Sequence, residues 1–236
     1  DLHSFPTRRS SDLKEMRIGT AVPSSEELAA VPHHFIQNKS IFDNFNVGDF
    51  EKEALQKLEL LFNKHPLVVM VGGSGLYIDA VVKGLDSFPE VDPVVREQLN
   101  KDLYSKGLET LQKELEEVDP QYFQKADVQN PHRVIRALEI FRSSGKPYTS
   151  FLKNKASKRP FETQFIGLTA DRQLVYNRIN QRVDLMIASG LIKEAESLKQ
   201  NKDLNALQTV GYKELFQFFD GEMTKEESIE EIKKNT

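Results

Sequence analysis

Gly72, Gly73 and Gly75 surround Ser74 directly after an apolar, β-branched run, residues 66–71. Backbone amides freed of side chains at a helix N-terminus can cradle an anion or let a substrate approach closely, and Ser74 offers a hydroxyl at the mouth. The alternative reading is a plain tight turn from strand to helix. The cluster is not the dinucleotide fingerprint, because Ile78 stands three residues after Gly75. Nor is it a Walker A loop, since no Lys-Ser/Thr pair follows. A second constellation is Arg178, Asn180, Gln181 and Arg182. Arg178 and Arg182 stand one helical turn apart on one face, a pairing suited to a diphosphate or a nucleic-acid backbone. A solvated face paired with Asp171 or Asp184 is the alternative. The third runs from Asn130 to Glu139, with His132, Arg133 and Arg136 near a helix start. Cations there oppose the helix dipole and call for a partner such as phosphate. A local Arg136–Glu139 ion pair explains the same residues. His33-His34 lies in a loop, His65 and His132 are isolated, and no spacing fits a metal site.

The elements that must hold these groups are legible from periodicity. Residues 50–64 read as an amphipathic helix with Ala54, Leu55, Leu58, Leu61 and Phe62 on one stripe. Residues 66–71 have the profile of a strand buried on both faces, as in a parallel sheet. With the glycine turn and the helix that follows, they form the front half of a βαβ unit. Asp92-Pro93 and Asn130-Pro131 are caps with proline at the first helical position. They open helical stretches over 94–117, broken near Gly107, and 132–142. Residues 164–168 are predicted to form a second sheet strand, and 174–189 a helix broken by Gly190. A nearly all-helical, charged span between two strand-bearing segments reads as a helical insertion in an α/β core.

Composition sets the class. Of the 236 residues, 39% are hydrophobic and 29% charged, the balance of a globular chain rather than a disordered one. There is no cysteine, which excludes disulfides, thiolate catalysis and cysteine-ligated zinc. No apolar run approaches the ~18 residues that cross a bilayer. The net charge of −4 argues against a wholly basic surface but leaves room for a local basic track.

Residues 1–13 lack helical or strand periodicity and resemble the translation of a sequencing-adapter oligonucleotide; a short disordered basic arm is the alternative. Disorder is expected there either way. Both ends of the chain read as cut. The domain expectation is therefore an α/β core made of two stretches, 14–86 and 161–236, interrupted by a helical insertion over 87–160.

Taken in order, the segments resemble the tRNA dimethylallyltransferase (tRNA isopentenyltransferase) family. Residues 16–23 resemble its "MDIGTAKP", 31–34 its "PHH" and 45–50 its "Y-S/N-V-x-D-F". Residues 71–77 are close to "VGGTGLY", 130–139 match "N-x-x-R-x-x-R-A-L-E", and 145–147 match "GKP". Arg178 to Arg182 match "R-I-x-x-R", and 209–213 the "VGYKE"-like turn. Each motif is weak alone; eight in the right order are strong.

The resemblance implies a P-loop NTPase-like parallel-sheet core with a helical insertion domain. It implies transfer of a dimethylallyl group from dimethylallyl diphosphate to N6 of the adenosine at position 37, beside the tRNA anticodon, with Mg²⁺. The target base must leave the loop stack to reach a buried channel. Residue by residue, Arg182 is implied to grip the departing diphosphate, with Arg178 beside it. Gly73 and Ser74 are implied to line the channel. Val95, the segment Pro131, His132, Arg133, Val134 and Ile135, and the segment Gln208, Thr209, Val210, Gly211, Tyr212 and Lys213 are implied to contact tRNA. A monomer, a cytoplasmic location and no membrane are the accompanying expectations. Ser74 for Thr and Phe45 for Tyr are conservative departures; Arg17 for Asp and Val22 for Lys leave that loop's role open. The family's phosphate loop, with its Mg²⁺-holding Thr, and its "DSRQ" segment with the catalytic Asp would precede Met16. The basic C-terminal helix would follow Thr236. The chain by itself is therefore expected not to turn over. A P-loop kinase and a non-catalytic tRNA-binding protein are the rival readings.

Overall fold

Side-chain caps set most helix boundaries. Asn46, Asp92, Asn130, Asp171 and Thr224 each accept a backbone N–H from the first turn that follows. The computed structural model describes residues 4–6, 11–152 and 157–236. The first elements are β1 (Ser4–Pro6), α1 (Ser25–Ala30), α2 (Val47–Phe62), β2 (Val69–Val71) and α3 (Gly75–Lys83). Then come α4 (Pro93–Lys106), α5 (Leu108–Val118), α6 (Pro120–Lys125) and α7 (Pro131–Ser144). The chain closes with α8 (Arg172–Ala188), α9 (Leu191–Leu198), α10 (Tyr212–Phe219) and α11 (Lys225–Asn235). Among the described residues no helix is long and apolar enough to cross a membrane.

The chain divides into two compact units: Asp1–Val82 with Arg159–Thr236, and Lys83–Lys158. The first is α/β with little sheet. β1 and β2 pair in parallel, with Ser4 opposite Val69, Phe5 opposite Met70 and Pro6 opposite Val71. The strand expected over 66–71 is shorter, it has a single neighbour among the described residues, and Leu67 and Val71 stay exposed. The strand expected over 164–168 does not form. No described strand lies beside it to complete a ladder, and Ile166 and Leu168 are 84% and 96% exposed. An apolar β-branched run supplies only half of a strand; a paired neighbour supplies the rest.

Disorder over 1–13 also needs correcting. Ser4–Pro6 are paired, and Ser11, Asp12 and Leu13 are buried. Lys39 N–H donates to the Asp12 carbonyl and Lys14 N–H to the Lys39 carbonyl, both at 2.8 Å, while Leu13 joins the core. Residues 1–3 and 7–10 lie outside the described residues. Two hydrophobic clusters hold this unit. One gathers Met16, Val183, Leu191, Leu207, Tyr212, Leu215 and Ile232. The other joins Phe50, Ala54, Leu58 and Leu61 of α2 to Tyr77 and Val81 of α3.

The second unit packs α4, α5 and α7 around Leu99, Leu111, Leu115, Val134, Ile135 and Leu138. Gly107 separates α4 from α5 at φ +79°, a conformation that favours glycine. Asp119 caps α6 through Tyr122 N–H and also accepts Thr149 N–H at 2.8 Å and the Thr149 hydroxyl at 2.9 Å. Asp102, also buried, accepts Lys106 at 2.9 Å, Arg142 at 3.1 Å and Gln98 at 3.2 Å. The hydrogen bond from Lys106 first, then those from Arg142 and Gln98, lower its carboxyl to about 2, against burial. A carboxyl lowered on folding adds stability above its ordinary range and loses it as pH falls towards the folded value. Asp102→Asn is expected to cost on the order of 1–2 kcal/mol at neutral pH. The cost should shrink between pH 4 and pH 2, read by thermal unfolding across pH; a cost independent of pH in that window would count against it.

Candidate functional site

α8 carries the key side chain. Asp171 starts the helix by accepting Gln173 and Leu174 N–H, and Val183 fixes its orientation by burial in the core. The neighbouring residue, Arg182, is exposed and lines a cavity of about 420 Å³. The pairing alternatives for this arginine are otherwise engaged. Asp171 caps the helix, and Asp184 meets Lys233 at 3.0 Å. Among the described residues neither Arg178 nor Arg182 has an ion pair. Arg178, one turn earlier, is exposed and does not line the cavity.

Ser74 also lines the cavity. Its carbonyl accepts Tyr77 N–H at 3.0 Å and Ile78 N–H at 3.1 Å, so it closes the first turn of α3. Tyr77 anchors that turn against Phe50, with ring centroids 5.0 Å apart. Gly73 and Gly75 are exposed, and a Cβ on either would meet nothing within 4 Å, so the turn is open to a ligand. Gln208, Thr209, Val210 and Gly211 complete the rim. Gly211 lies at φ +99°, and its N–H donates to Glu214 at 2.8 Å. The lining includes no carboxylate side chain and no imidazole, and Arg182 is its one charged side chain among the described residues. A cavity with a single unpaired guanidinium attracts an anion.

Several expected contacts are placed elsewhere. Tyr212 is fully buried, and its hydroxyl donates to Glu194 at 2.5 Å rather than facing the cavity. Burial first, then Glu194, pushes that hydroxyl well above the usual phenol range, so it stays a donor. Lys213 is exposed outside the lining. In the helical unit, Val134 and Ile135 are core side chains, so their side chains do not face a ligand. Val95 packs against the same core, whereas Val94 beside it is exposed. Pro131 opens α7, His132 and Arg133 are exposed, and Arg133 lines a smaller cavity of about 310 Å³ with Tyr122 and Lys125. Arg136 takes the local alternative. It pairs with buried Glu139, which also faces Arg96 at 3.4 Å, and its guanidinium lies 5.3 Å from the Phe88 ring centroid.

The residue pattern gave no sign of Glu194. Its carboxylate gathers the backbone N–H groups of Arg17, Ile18 and Gly19, and a lone glutamate in a helix's first turn carries no signal of that role. For Mg²⁺ the fit is negative: the described residues contain no cluster of three metal-ligating side chains, and the cavity offers no carboxylate side chain.

An α/β unit that brings an arginine without an ion pair among the described residues to a cavity beside a glycine turn is suited to an anionic ligand. The family model described as IPP transferase matches residues 13–236. The tRNA dimethylallyltransferase of Christiangramia forsetii is 60% identical over 223 residues, 94% of this chain and 74% of that protein. That of Flavobacterium johnsoniae is 57% identical over 229 residues, with the same coverage of both chains. The crystal structure of the tRNA isopentenylpyrophosphate transferase of Bacillus halodurans aligns with a TM-score of 0.66 and 34% identity, over 99% of this chain and 74% of that one. A eukaryotic dimethylallyltransferase acting on tRNA aligns with a TM-score of 0.76 at 22% identity, over 98% of this chain and 60% of that one, which supports the fold alone. The chain belongs to the IPP transferase family, the tRNA dimethylallyltransferases.

Proposed function

We propose that the cavity brings together dimethylallyl diphosphate and the adenosine at position 37 of the tRNA anticodon loop. The observation that carries this reading is the meeting of Arg182, Ser74 and Gln208–Gly211, three segments distant in the chain, around one cavity. The base N6 attacks the allylic carbon, the carbon–oxygen bond to diphosphate breaks, and the electron pair leaves with the diphosphate. Arg182 opposes the negative charge that develops on that leaving group, where a fixed donor lowers the barrier most. Ser74 and the 208–211 rim hold the extruded base out of its stack. The proton lost by N6 must pass to a base, which the cavity's described lining side chains do not supply. Mg²⁺ finds no ligand set among the described residues, and we route no step through it. The parallel β1–β2 pair entering a glycine turn and helix supports the finer reading of a P-loop-like core.

The test is cross-linking. An anticodon stem-loop RNA carrying photoreactive 8-azidoadenosine at position 37 is expected to cross-link to peptides containing Ser74 or Gln208–Gly211. Cross-links confined to other peptides, or none, would overturn the reading.

In the helical unit, exposed His132 and Arg133 at the start of α7, with Lys125 nearby, support an RNA backbone contact. Arg133→Ala is expected to weaken stem-loop binding severalfold and to lower the slope of log affinity against log salt by about one. Fluorescence anisotropy across a salt series reads both, and an unchanged slope would remove Arg133 from the interface.

A further inference from the structure

Three consecutive amides point at one carboxylate. Arg17 N–H (3.0 Å), Ile18 N–H (2.9 Å) and Gly19 N–H (3.1 Å) all donate to Glu194. Successive N–H groups of this kind form an anion-binding concavity, here filled by the protein's own side chain. The fourth donor is the Tyr212 hydroxyl at 2.5 Å. One carboxylate thus ties loop 17–19, α9 and the start of α10 through hydrogen bonds that span up to 177 residues.

All three tied segments reach the cavity, α9 through Leu191. Gly19 lines it directly, and Tyr212 follows the rim residues Gln208–Gly211 without a break. The join is tight: a Cβ on Gly19 would fall 2.5 Å from Tyr212 Cε2 and 2.6 Å from its hydroxyl oxygen. Gly19 is therefore required by close approach of the tyrosine, and the loop cannot slide past it. Arg182 is carried by α8, whose Val183 packs in the same core as the Tyr212 ring, so a change that keeps that ring leaves this anchor in place.

We infer that Glu194 is a positioning residue: acting through Tyr212 and loop 17–19, it fixes the 208–211 rim for RNA without touching the ligand. This rests on the proposed RNA-binding role of the cavity. Tyr212→Phe is the cleanest probe, since it keeps the buried ring and removes only the hydroxyl. Glu194→Ala removes the whole acceptor, and Glu194→Gln returns one oxygen.

The experiment uses this chain, titrated with anticodon stem-loop RNA and separately with inorganic diphosphate, alongside amide hydrogen exchange. In Tyr212→Phe, exchange should quicken at 17–19 and 208–213 together. RNA affinity should fall about tenfold, the order of one charge-assisted hydrogen bond, while diphosphate affinity moves less than about twofold. Glu194→Ala should lose more, and Glu194→Gln should recover some of it. Equal weakening of both ligands, or faster exchange spread over the whole unit, would make these residues merely stabilising and overturn the inference. Faster exchange at 17–19 alone, with RNA affinity unchanged, would overturn it as well. Coupled exchange in a chain whose unaltered form binds no RNA would instead sink the RNA-binding role and leave the coupling through Glu194 standing. Should Glu194→Ala not fold, Tyr212→Phe decides by the same criteria.

Discussion

Arg182→Ala is expected to weaken binding of inorganic diphosphate by about 10- to 100-fold, the range for one or two charge-assisted hydrogen bonds. The expectation follows from the charged side chains of the lining. Arg182 is its one charged side chain among the described lining residues and has no ion pair to share its charge with. Arg182→Lys keeps the charge but loses the planar fork, so it should recover only some of the affinity. Stem-loop RNA binding should change little, because the proposed RNA contacts lie on the rim and the helical unit. Calorimetric titration separates the two ligands. Diphosphate affinity within about twofold of the unaltered chain, a difference too small for a lost charged hydrogen bond, would remove Arg182 from the site.

Leu138→Ala is expected to destabilise the helical unit by about 3 kcal/mol, the middle of the range for emptying a buried leucine site. Leu138 has no exposed surface, and it packs among Leu99, Leu111 and Leu115. The neighbouring Val134, Ile135 and Ala137 are equally enclosed, so the core has little freedom to collapse into the void. Urea unfolding of the variant measures the loss. A change below about 1 kcal/mol would show that this core relaxes more than its burial implies.

How much was legible in the residues depended on how local the signal was. Asp92-Pro93, Asn130-Pro131 and Gly190 mark helix ends through bonds made within one turn, and the helices begin and end there. Residues 164–168 have the composition of a strand, yet a strand needs a neighbour that no local pattern supplies. The spacing of Arg178 and Arg182 placed both on one helical face. One turn of rise was still enough to put Arg182 in the cavity and leave Arg178 outside it. The Val-Ile pair after Arg133 belonged to a motif, but its apolar periodicity prevailed and both side chains face inward. Glu194 gave no pattern and Tyr212 showed only as part of a motif, since their partnership spans segments that only the fold brings together. Ser74 and Gln208–Gly211 were reached through the family resemblance rather than through chemistry visible in single residues.

The bonds between loop 17–19 and Glu194 bear on how the molecule is made. Residues 83–158 close their own core from contacts within that span, so they can settle while still close to the ribosome. The amides of 17–19 have no such option, for their acceptor lies 176 residues beyond Ile18. The 112 residues from Val82 to Glu194 (194 − 82) take on the order of 10 s to synthesise. Through that interval the loop and its half of the core wait with their hydrogen bonds made to water. The cavity therefore cannot assemble until Glu194 and the later lining residues have been made.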